Sequence, residues 1–330
     1  MSLNKEQLAD IARRLGACKK VLVSTHISPD SDAIGSSFAL ALALRLLGIE
    51  VVVYLFDVFP ERMEPFRSGV SPIHSIPEKE FDAFVGLDAA TANRFGDDFE
   101  LLLKRASLTF NLDHHVSNSN WAEINYVDCE AAASAQIVFS LIKELGVSVD
   151  TEMANLLYAG LADDTGSFRY SNVNEKVFMC AAEIVRCGAQ PERVSNWLYY
   201  SVPARVMQLR ALAMEVTNII LDGQVGMVVV TKEMLDRCGA TAQDSEGIID
   251  DVRALRGTIG AVFMRETDDG WKLSLRSKAS CLNVQDIAAV FGGGGHYAAA
   301  GCRMRGSRED VERKIVAELE KHLCRFQKVT

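Results

Sequence analysis

The chain has 330 residues, of which 48% are hydrophobic and 24% are charged; this composition is typical of a folded globular protein and excludes a mainly disordered chain. Its 44 acidic residues outnumber its 35 basic residues, so the net charge is −9, and no long run of lysine or arginine is present. Long duplex nucleic acid is therefore excluded as a partner unless metal ions or a local basic patch reverse the field.

The cysteines and the apolar segments indicate a reduced protein of the cytoplasm. The eight cysteines are scattered and form no Cys-x-x-Cys pair, and the first residues lack the apolar region of a signal peptide. An apolar segment at 39–47 is interrupted by Arg45 and falls short of the roughly 18 residues that a membrane span requires. We therefore expect a cytoplasmic location and no membrane partner.

Residues 1–188 have the pattern of a parallel α/β domain. The predicted strands are short apolar runs at 21–25, 51–56, 81–87 and 107–112. The predicted helices cover residues 33–47, 131–145, 151–162 and 175–187. We expect a parallel sheet with helices on both faces and a ligand crevice at the carboxyl ends of its strands.

The pattern changes after residue 188. Residues 189–213 are predicted to form a helical linker, and residues 214–330 a second, smaller α/β domain. The predicted elements of this second domain are strands at 225–230, 258–265 and 271–276, a helix that begins near 245 and a final helix at 308–323. Four consecutive glycines at 292–295 are its only compositional oddity.

Histidines and aspartates follow several of the predicted strand and helix ends. These residues are His26, Asp30, Asp32, Asp88, Asp113, His114, His115, Asp163 and Asp164. Most of them follow strands of one parallel sheet, so we expect them to converge at its ligand-binding edge. Histidine nitrogens and carboxylate oxygens, with no cysteine among them, suit Mn²⁺ or Mg²⁺ and predict a two-metal hydrolytic centre.

Each group also has a purely structural interpretation. Asp30 and Asp32 are equally consistent with turn and N-cap residues of the helix that follows them. The paired histidines can be surface residues, although they are two of only six in the chain. Either Asp163 or Asp164 can be the carboxylate that faces the site.

The chain resembles the DHH phosphoesterases, and the resemblance covers nearly its whole length. The matching segments, in chain order, are His26–Ser36, Asp88, Asp113-His114-His115, Asp164-Thr165-Gly166, Ser274–Ser277, Phe291–His296 and Ala299–Gly301. The resemblance implies a catalytic DHH domain followed by a DHH-associated substrate-binding domain. The chain departs from the family pattern at Ala135-Gln136 and at Asp163, and we expect neither departure to touch the metal ligands.

The resemblance also implies a role for each site residue. One divalent cation would be held by His26, Asp30 and Asp88, and a second by Asp32, Asp88, His114 and Asp164. His115 would contact the substrate phosphate and Asp113 would orient it. The substrate would be bound by Arg276, Ser277, Gly293, Gly294, Gly295 and His296. Mn²⁺ is the expected cation, with Mg²⁺ and Co²⁺ as alternatives.

Within this family, the size and the domain pairing are most similar to enzymes that degrade short oligoribonucleotides to mononucleotides and dephosphorylate adenosine 3′,5′-bisphosphate. A phosphodiesterase for cyclic di-AMP or linear pApA is a close alternative. The segment 291–296 argues against an inorganic pyrophosphatase, and the complete ligand set argues against a silent nucleotide sensor. Relatives are often dimers, so a homodimer stays open.

Overall fold

The structure is a computed structural model that describes residues 3–59, 61–78, 80–278 and 281–327. The chain divides into two compact units, Met1–Ser201 and Val202–Thr330. Helix α7 (Pro191–Tyr199) falls within the first unit, and helix α8 (Ala204–Glu215) falls within the second. Among the described residues, none of the helices combines the length and apolar character needed to cross a lipid bilayer.

A five-stranded parallel sheet, in the order β2-β1-β3-β4-β5, forms the centre of the first unit. Its strands are β1 (Lys20–Thr25), β2 (Glu50–Tyr54), β3 (Ala83–Leu87), β4 (Thr109–Asp113) and β5 (Ile124–Val127). Its remaining helices are α1 (Leu3–Gly16), α2 (Ser31–Leu46), α3 (Phe99–Lys104), α4 (Ser134–Glu144), α5 (Thr151–Asp164) and α6 (Glu175–Arg186). The central strands are apolar and buried because helices cover both faces of a parallel sheet.

Alternate residues of the central strands enter two separate cores, one on each face of the sheet. Val21 and Val23 of β1 pack with helices α1, α2, α4 and α5. Leu22 of the same strand packs on the opposite face with Phe84, Phe95 and residues of α3. The prediction of a parallel α/β sheet with helices on both faces is therefore confirmed.

Helices α2 and α5 approach each other closely because glycine stands at their contact. A Cβ atom added to Gly35 of α2 would lie 2.4 Å from the backbone oxygen of Leu156. A Cβ atom added to Gly160 of α5 would lie 2.5 Å from Oδ1 of Asp32. The second contact matters for the site, since it brings α5 against a predicted metal ligand.

The second unit contains a six-stranded mixed sheet in the order β10-β11-β9-β8-β7-β6. Its strands are β6 (Asn218–Ile220), β7 (Val225–Val230), β8 (Gly260–Thr267), β9 (Gly270–Ser277), β10 (Gly294–His296) and β11 (Ala299–Met304). Besides α8, its helices are α9 (Lys232–Cys238), α10 (Ile248–Arg253), α11 (Val284–Val290) and α12 (Arg308–Gln327). One face packs against α11 and α12, and α8, α9 and α10 cover part of the other.

Several predicted boundaries differ from the structure. The strand predicted at 81–87 begins at Ala83, since Phe81 forms only an isolated bridge to Ala106. The helix predicted from 131 begins at Ser134. The helix predicted to begin near 245 is a short 3₁₀ turn at Gln243–Ser245, and α10 begins only at Ile248.

Candidate metal centre

The predicted site residues meet at the carboxyl-terminal edge of three neighbouring strands. His26 follows β1, Asp88 follows β3, and Asp113 is the last residue of β4. Strand β1 has β2 on one side and β3 on the other, so the chain reverses its direction of winding there. Open α/β sheets place their ligand crevice at such a point.

One group of potential ligands consists of His26, Asp30 and Asp88, whose donor atoms all lie within 4.8 Å of one another. Nε2 of His26 lies 3.4 Å from Oδ2 of Asp88 and 3.7 Å from Oδ2 of Asp30. On the other side of the ring, Nδ1 lies 2.9 Å from the carbonyl oxygen of Ile27. In the tautomer that donates this hydrogen bond, Nε2 carries a lone pair directed at the carboxylates.

A second group consists of Asp32, His114 and Asp164, again with donor atoms within 4.8 Å of one another. Nε2 of His114 lies 3.1 Å from Oδ2 of Asp164 and 3.3 Å from Oδ1 of Asp88. This nitrogen is buried, and no described residue makes a hydrogen bond to it. Of the two adjacent carboxylates, Asp164 is thus the one that faces His114, while Asp163 accepts a hydrogen bond from the Ser31 N–H.

Asp88 links the two groups. Its Oδ2 faces His26 and its Oδ1 faces His114, and its side chain is only 3% exposed. Its backbone is in the left-handed region, with φ at +56°. A non-glycine residue in this conformation carries strain of the kind found at functional sites, and aspartate tolerates it better than most residues. The hydroxyl of Ser134 donates to Oδ1 at 3.0 Å.

The carboxylate of Asp32 is held by the N-terminus of α4. The N–H of Ser134 donates to Oδ2 at 2.6 Å, and the N–H of Ala135 donates to Oδ1 at 2.9 Å. The expectation that residue 135 would not touch a predicted ligand is therefore wrong. The contact uses the backbone of Ala135, because the first turn of a helix has free N–H groups whatever its side chains are.

Asp30 combines its structural and its potential metal-binding roles. Its Oδ1 accepts from the N–H groups of Asp32 and Ala33, so it is the N-cap residue of α2. Its Oδ2 remains directed toward His26. A carboxylate has two oxygens, and the N-cap and ligand interpretations are therefore compatible.

The ring of His115 lies beside that of His114, with 4.5 Å between the ring centres, and it is oriented by Asp113. Nδ1 of His115 lies 2.7 Å from Oδ1 of Asp113, and this histidine is partly exposed whereas Asp113 is fully buried. The other oxygen, Oδ2, accepts a hydrogen bond of 2.5 Å from the amide of Asn118. Asn118 is held in turn by Asn111, whose side-chain amide donates a hydrogen bond to Oδ1 of Asn118. The buried carboxylate therefore sets the position of the His115 ring.

The dense negative charge of the site shifts the pKa values of its histidines upward. Burial by itself would lower the pKa of His26, but the carboxylates of Asp30 and Asp88 outweigh burial and raise it to about 10. The same opposition acts on His114, whose pKa is raised to about 12 by Asp164 and Asp88. Without a cation, both rings therefore hold a proton at neutral pH.

The pKa values of the carboxylates in the site shift in different directions. Burial, followed by the charges of Asp88 and Asp164, raises the pKa of Asp32 well above its usual range. Burial also raises the pKa of Asp164, to about 6. For Asp88 burial acts in the same direction, but His114 and His26 hold its pKa well below the usual range.

These residues fit a pair of divalent cations. The donors are imidazole nitrogens and carboxylate oxygens. This donor set suits Mn²⁺ and Mg²⁺, whereas structural zinc sites are built mainly from cysteine and histidine. The buried Nε2 of His114 lies among carboxylate oxygens without a hydrogen bond from any described residue, as expected of a nitrogen that ligates a metal. Asp88 directs one oxygen at each group, which is the arrangement of a bridging ligand.

The predicted substrate-binding residues lie together in the second unit. Arg276 of β9 pairs with Ala299 of β11, which pairs with His296 of β10, and the Ser277 N–H donates to the carbonyl of Ala298. Of the four glycines, expected to be either a flexible loop or a phosphate-binding segment, the last two belong to strand β10. Two of them have no space for a side chain, since a Cβ at Gly293 would lie 2.2 Å from the Gly301 oxygen and one at Gly295 2.5 Å from that of Ala299.

The structure adds residues that sequence reasoning missed. Nη2 of Arg94 lies 3.1 Å from Nδ1 of His26. When Nδ1 carries a proton and donates to the Ile27 carbonyl, it cannot also accept a hydrogen bond from Arg94. The amide of Asn172 donates to the backbone oxygen of Asp164 at 3.0 Å. The position of Asn118, three residues after His115, was an available signal, whereas nothing local in the sequence connects Arg94 or Asn172 to the site.

Comparison with known proteins identifies the class. The family model of the DHH family N-terminal domain matches residues 20–161, and that of the DHHA1 domain matches residues 225–323. The chain therefore belongs to the DHH phosphoesterases, a class of hydrolases, as the motifs predicted.

Its relatives within the class include proteins of similar length. The chain is 32% identical to the bifunctional oligoribonuclease and PAP phosphatase NrnA of Thermus thermophilus, over 90% of this chain and 88% of that protein. It is 26% identical to the protein of the same name from Bacillus subtilis, over 96% and 98% of the two chains.

Solved structures support the fold. An exopolyphosphatase-related protein of Bacteroides fragilis superposes with a TM-score of 0.92 at 23% identity, over 98% of both chains. RecJ of Thermus thermophilus, in a crystal structure with Mn²⁺, superposes with a TM-score of 0.57 at 16% identity, over 98% of this chain and 55% of RecJ.

Proposed function

We propose that the protein is a Mn²⁺-dependent phosphoesterase that degrades short oligoribonucleotides to mononucleotides and dephosphorylates adenosine 3′,5′-bisphosphate. The observation that carries the proposal is the convergence of two His/Asp groups that Asp88 links. The names of the relatives from Thermus thermophilus and Bacillus subtilis support these substrates. The chain has a net charge of −9 and would repel anions, but two bound cations would reverse the charge locally, which is sufficient for a small anionic substrate.

Within this proposal, each group of ligands would hold one cation. His26, Asp30 and Asp88 would hold the first, and Asp32, Asp88, His114 and Asp164 would hold the second. When bound, two such cations supply a water molecule ionised at neutral pH and positive charge beside the attacked phosphate. The helix N-terminus at Ser134 and Ala135 holds the Asp32 carboxylate in place, which limits the reorganisation needed on binding.

His115 contacts the phosphate and stabilises the charge that develops on it. Asp113 accepts the hydrogen bond from Nδ1, so the opposite ring nitrogen, Nε2, is the atom that remains for the substrate. In the second unit, the guanidinium of Arg276 binds a phosphate, and its planar donors suit a bidentate contact. Ser277, the glycines 293–295 and His296 complete this substrate contact.

A hydrolysis panel tests the proposal. Purified protein with Mn²⁺ is incubated with a pentaribonucleotide, adenosine 3′,5′-bisphosphate, pApA, cyclic di-AMP and pyrophosphate, and the products are separated by chromatography. We expect mononucleotides from the RNA and phosphate from the bisphosphate. Preferential opening of cyclic di-AMP would instead assign the protein to second-messenger turnover, and release of phosphate from pyrophosphate alone would make it a pyrophosphatase.

Two variants test the division of roles. We expect Asp113→Ala to abolish turnover, because His115 loses the group that orients it, and Arg276→Ala mainly to raise KM. An equal loss of kcat in both variants would show that the roles have been divided wrongly.

A further inference from the structure

Three basic residues of the second unit lie side by side across its sheet. Arg265 of β8 pairs with Lys272 of β9, and Lys272 pairs with Arg303 of β11. Side chains of paired residues lie on the same face of a sheet. The neighbours Met264, Leu273 and Cys302 enter the core beneath α11 and α12, so Arg265, Lys272 and Arg303, here called the basic row, lie on the opposite face.

The basic row has little compensating negative charge among the described residues. None of its three members forms an ion pair with a described carboxylate, and Glu246 acts on Arg265 through its charge alone, whereas six other arginines of the same unit lie 3.8 Å or less from a carboxylate. Those six are Arg205, Arg210, Arg253, Arg305, Arg308 and Arg313. Like charges directly opposite one another destabilise a sheet, so the row stores a repulsion that an anion would relieve.

The electrostatics of Arg265 agree with this description. Burial, followed by the positive charge of Arg303, lowers the pKa of its guanidinium, and the carboxylate of Glu246 opposes this shift. Lys272 and Arg303 are exposed. Two of the three charges are therefore directly available to a ligand in solution.

The same face continues from the basic row to Arg276. On β9 and β11 the residues between them are small: Ser274 pairs with Gly301, and Arg276 pairs with Ala299. On β8 the residue paired with Ser274 is Phe263, which is buried in the core on this face. Lys272 and Arg276 are four residues apart on one strand, a separation of about 13 Å. A ligand that contacts both must carry several phosphates, because about 13 Å corresponds to roughly two to four phosphate-to-phosphate steps of single-stranded RNA, depending on how far its bases are stacked.

We propose that the basic row binds the sugar–phosphate backbone of a single-stranded oligoribonucleotide, beyond the phosphate that Arg276 contacts. The inference rests on the proposed function, and it adds a second contact that only substrates longer than a dinucleotide can use. It predicts that the affinity of the protein for RNA increases with length up to the reach of the row. Adenosine 3′,5′-bisphosphate is too short to gain from it.

Binding by the intact, metal-free protein tests the proposal. Fluorescence anisotropy in EDTA, which prevents hydrolysis, compares a labelled pentaribonucleotide with a labelled diribonucleotide. The variant Lys272→Gln/Arg303→Gln should bind the pentamer about tenfold more weakly than the wild type, with the slope of log K against log salt reduced by about 1.4. Its affinity for the dimer should be unchanged. The matched control Arg313→Gln/Lys314→Gln removes two exposed charges from α12, which packs on the opposite face.

The outcomes separate this inference from the proposed function. Equal weakening in the control, or equal weakening for dimer and pentamer, would overturn the inference. Tighter binding of a five-phosphate polyphosphate than of the pentaribonucleotide would overturn the choice of RNA as the occupant. Length-dependent binding through the row by a protein that hydrolyses nothing in the panel would support the surface and refute the proposed activity.

Discussion

Asn118 does not contact His115 directly but holds the carboxylate of Asp113 that orients it. Its amide donates a hydrogen bond to Oδ2 of the buried Asp113, and Oδ1 of the same carboxylate holds Nδ1 of His115. We expect Asn118→Ala to leave Asp113 free to rotate and to lower kcat by about 10- to 100-fold, with little change in KM or in Mn²⁺ affinity. Steady-state kinetics and a Mn²⁺ titration measure the three quantities. Asn196→Ala, an exposed substitution in α7, is the control.

If Asn118→Ala lost Mn²⁺ affinity in proportion to activity, Asn118 would support the metal ligands rather than His115. If the variant kept full activity, Asp113 would be held adequately by its other contacts. A partial return of kcat in Asn118→Gln, which keeps an amide donor, would support the positioning role.

The protons of His26 and His114 predict how metal affinity depends on pH. Their pKa values, about 10 and about 12, lie above the usual 6.5, so both rings are charged at pH 7 when no metal is bound. A metal ligates only the neutral ring, so binding releases these protons and the apparent affinity falls as pH falls. We expect calorimetry of Mn²⁺ binding at pH 7, in buffers of different ionisation enthalpy, to detect net proton release. No dependence on the buffer would contradict this protonation state.

At the scale of elements, the lack of a side chain at Gly160 leaves room for the carboxylate of Asp32 between α5 and α2. A Cβ at this position would lie 2.5 Å from Oδ1, the oxygen that accepts from the Ala135 N–H. We expect Gly160→Ala to weaken Mn²⁺ binding by at least about tenfold and to cost about 1–3 kcal/mol of stability through overpacking. Calorimetric titration and denaturant unfolding measure the two effects.

Gly16→Ala is the matched control for Gly160→Ala. Its added Cβ would meet only Leu145 at 3.9 Å, an ordinary contact. The control should keep both stability and Mn²⁺ affinity. Unchanged Mn²⁺ affinity in Gly160→Ala would mean that the carboxylate of Asp32 can move without loss of the site.

The elements also show which parts of the site the sequence can predict. Strands β1, β3 and β4 were predictable because strands buried on both faces are continuous apolar runs, and the polar residues that follow them mark one edge of the sheet. The short edge strand β5 is only partly buried and carries no such run. The contact of Asp32 with the Ser134 N–H joins residues 102 positions apart, so no local pattern could reveal it.

At the scale of the whole molecule, each unit has its own hydrophobic cores, and every predicted metal ligand lies in the first. Units with separate cores unfold as separate cooperative steps unless they are strongly coupled. Mn²⁺ should therefore raise the transition of the first unit and leave that of the second in place. At about 100 times its Kd, a bound cation adds about 2.7 kcal/mol, which corresponds to about 5–10 °C for a unit of this size.

Differential scanning calorimetry with and without Mn²⁺ measures this selective shift. The informative variant is Asp88→Asn, because asparagine tolerates the left-handed backbone at this position and removes only the charge that both groups of ligands share. We expect its two transitions to persist and the response to Mn²⁺ to disappear. A Mn²⁺ shift that survives in Asp88→Asn would show that the cations are held without the shared carboxylate, and a shift of the second transition alone would place the dominant site in the other unit.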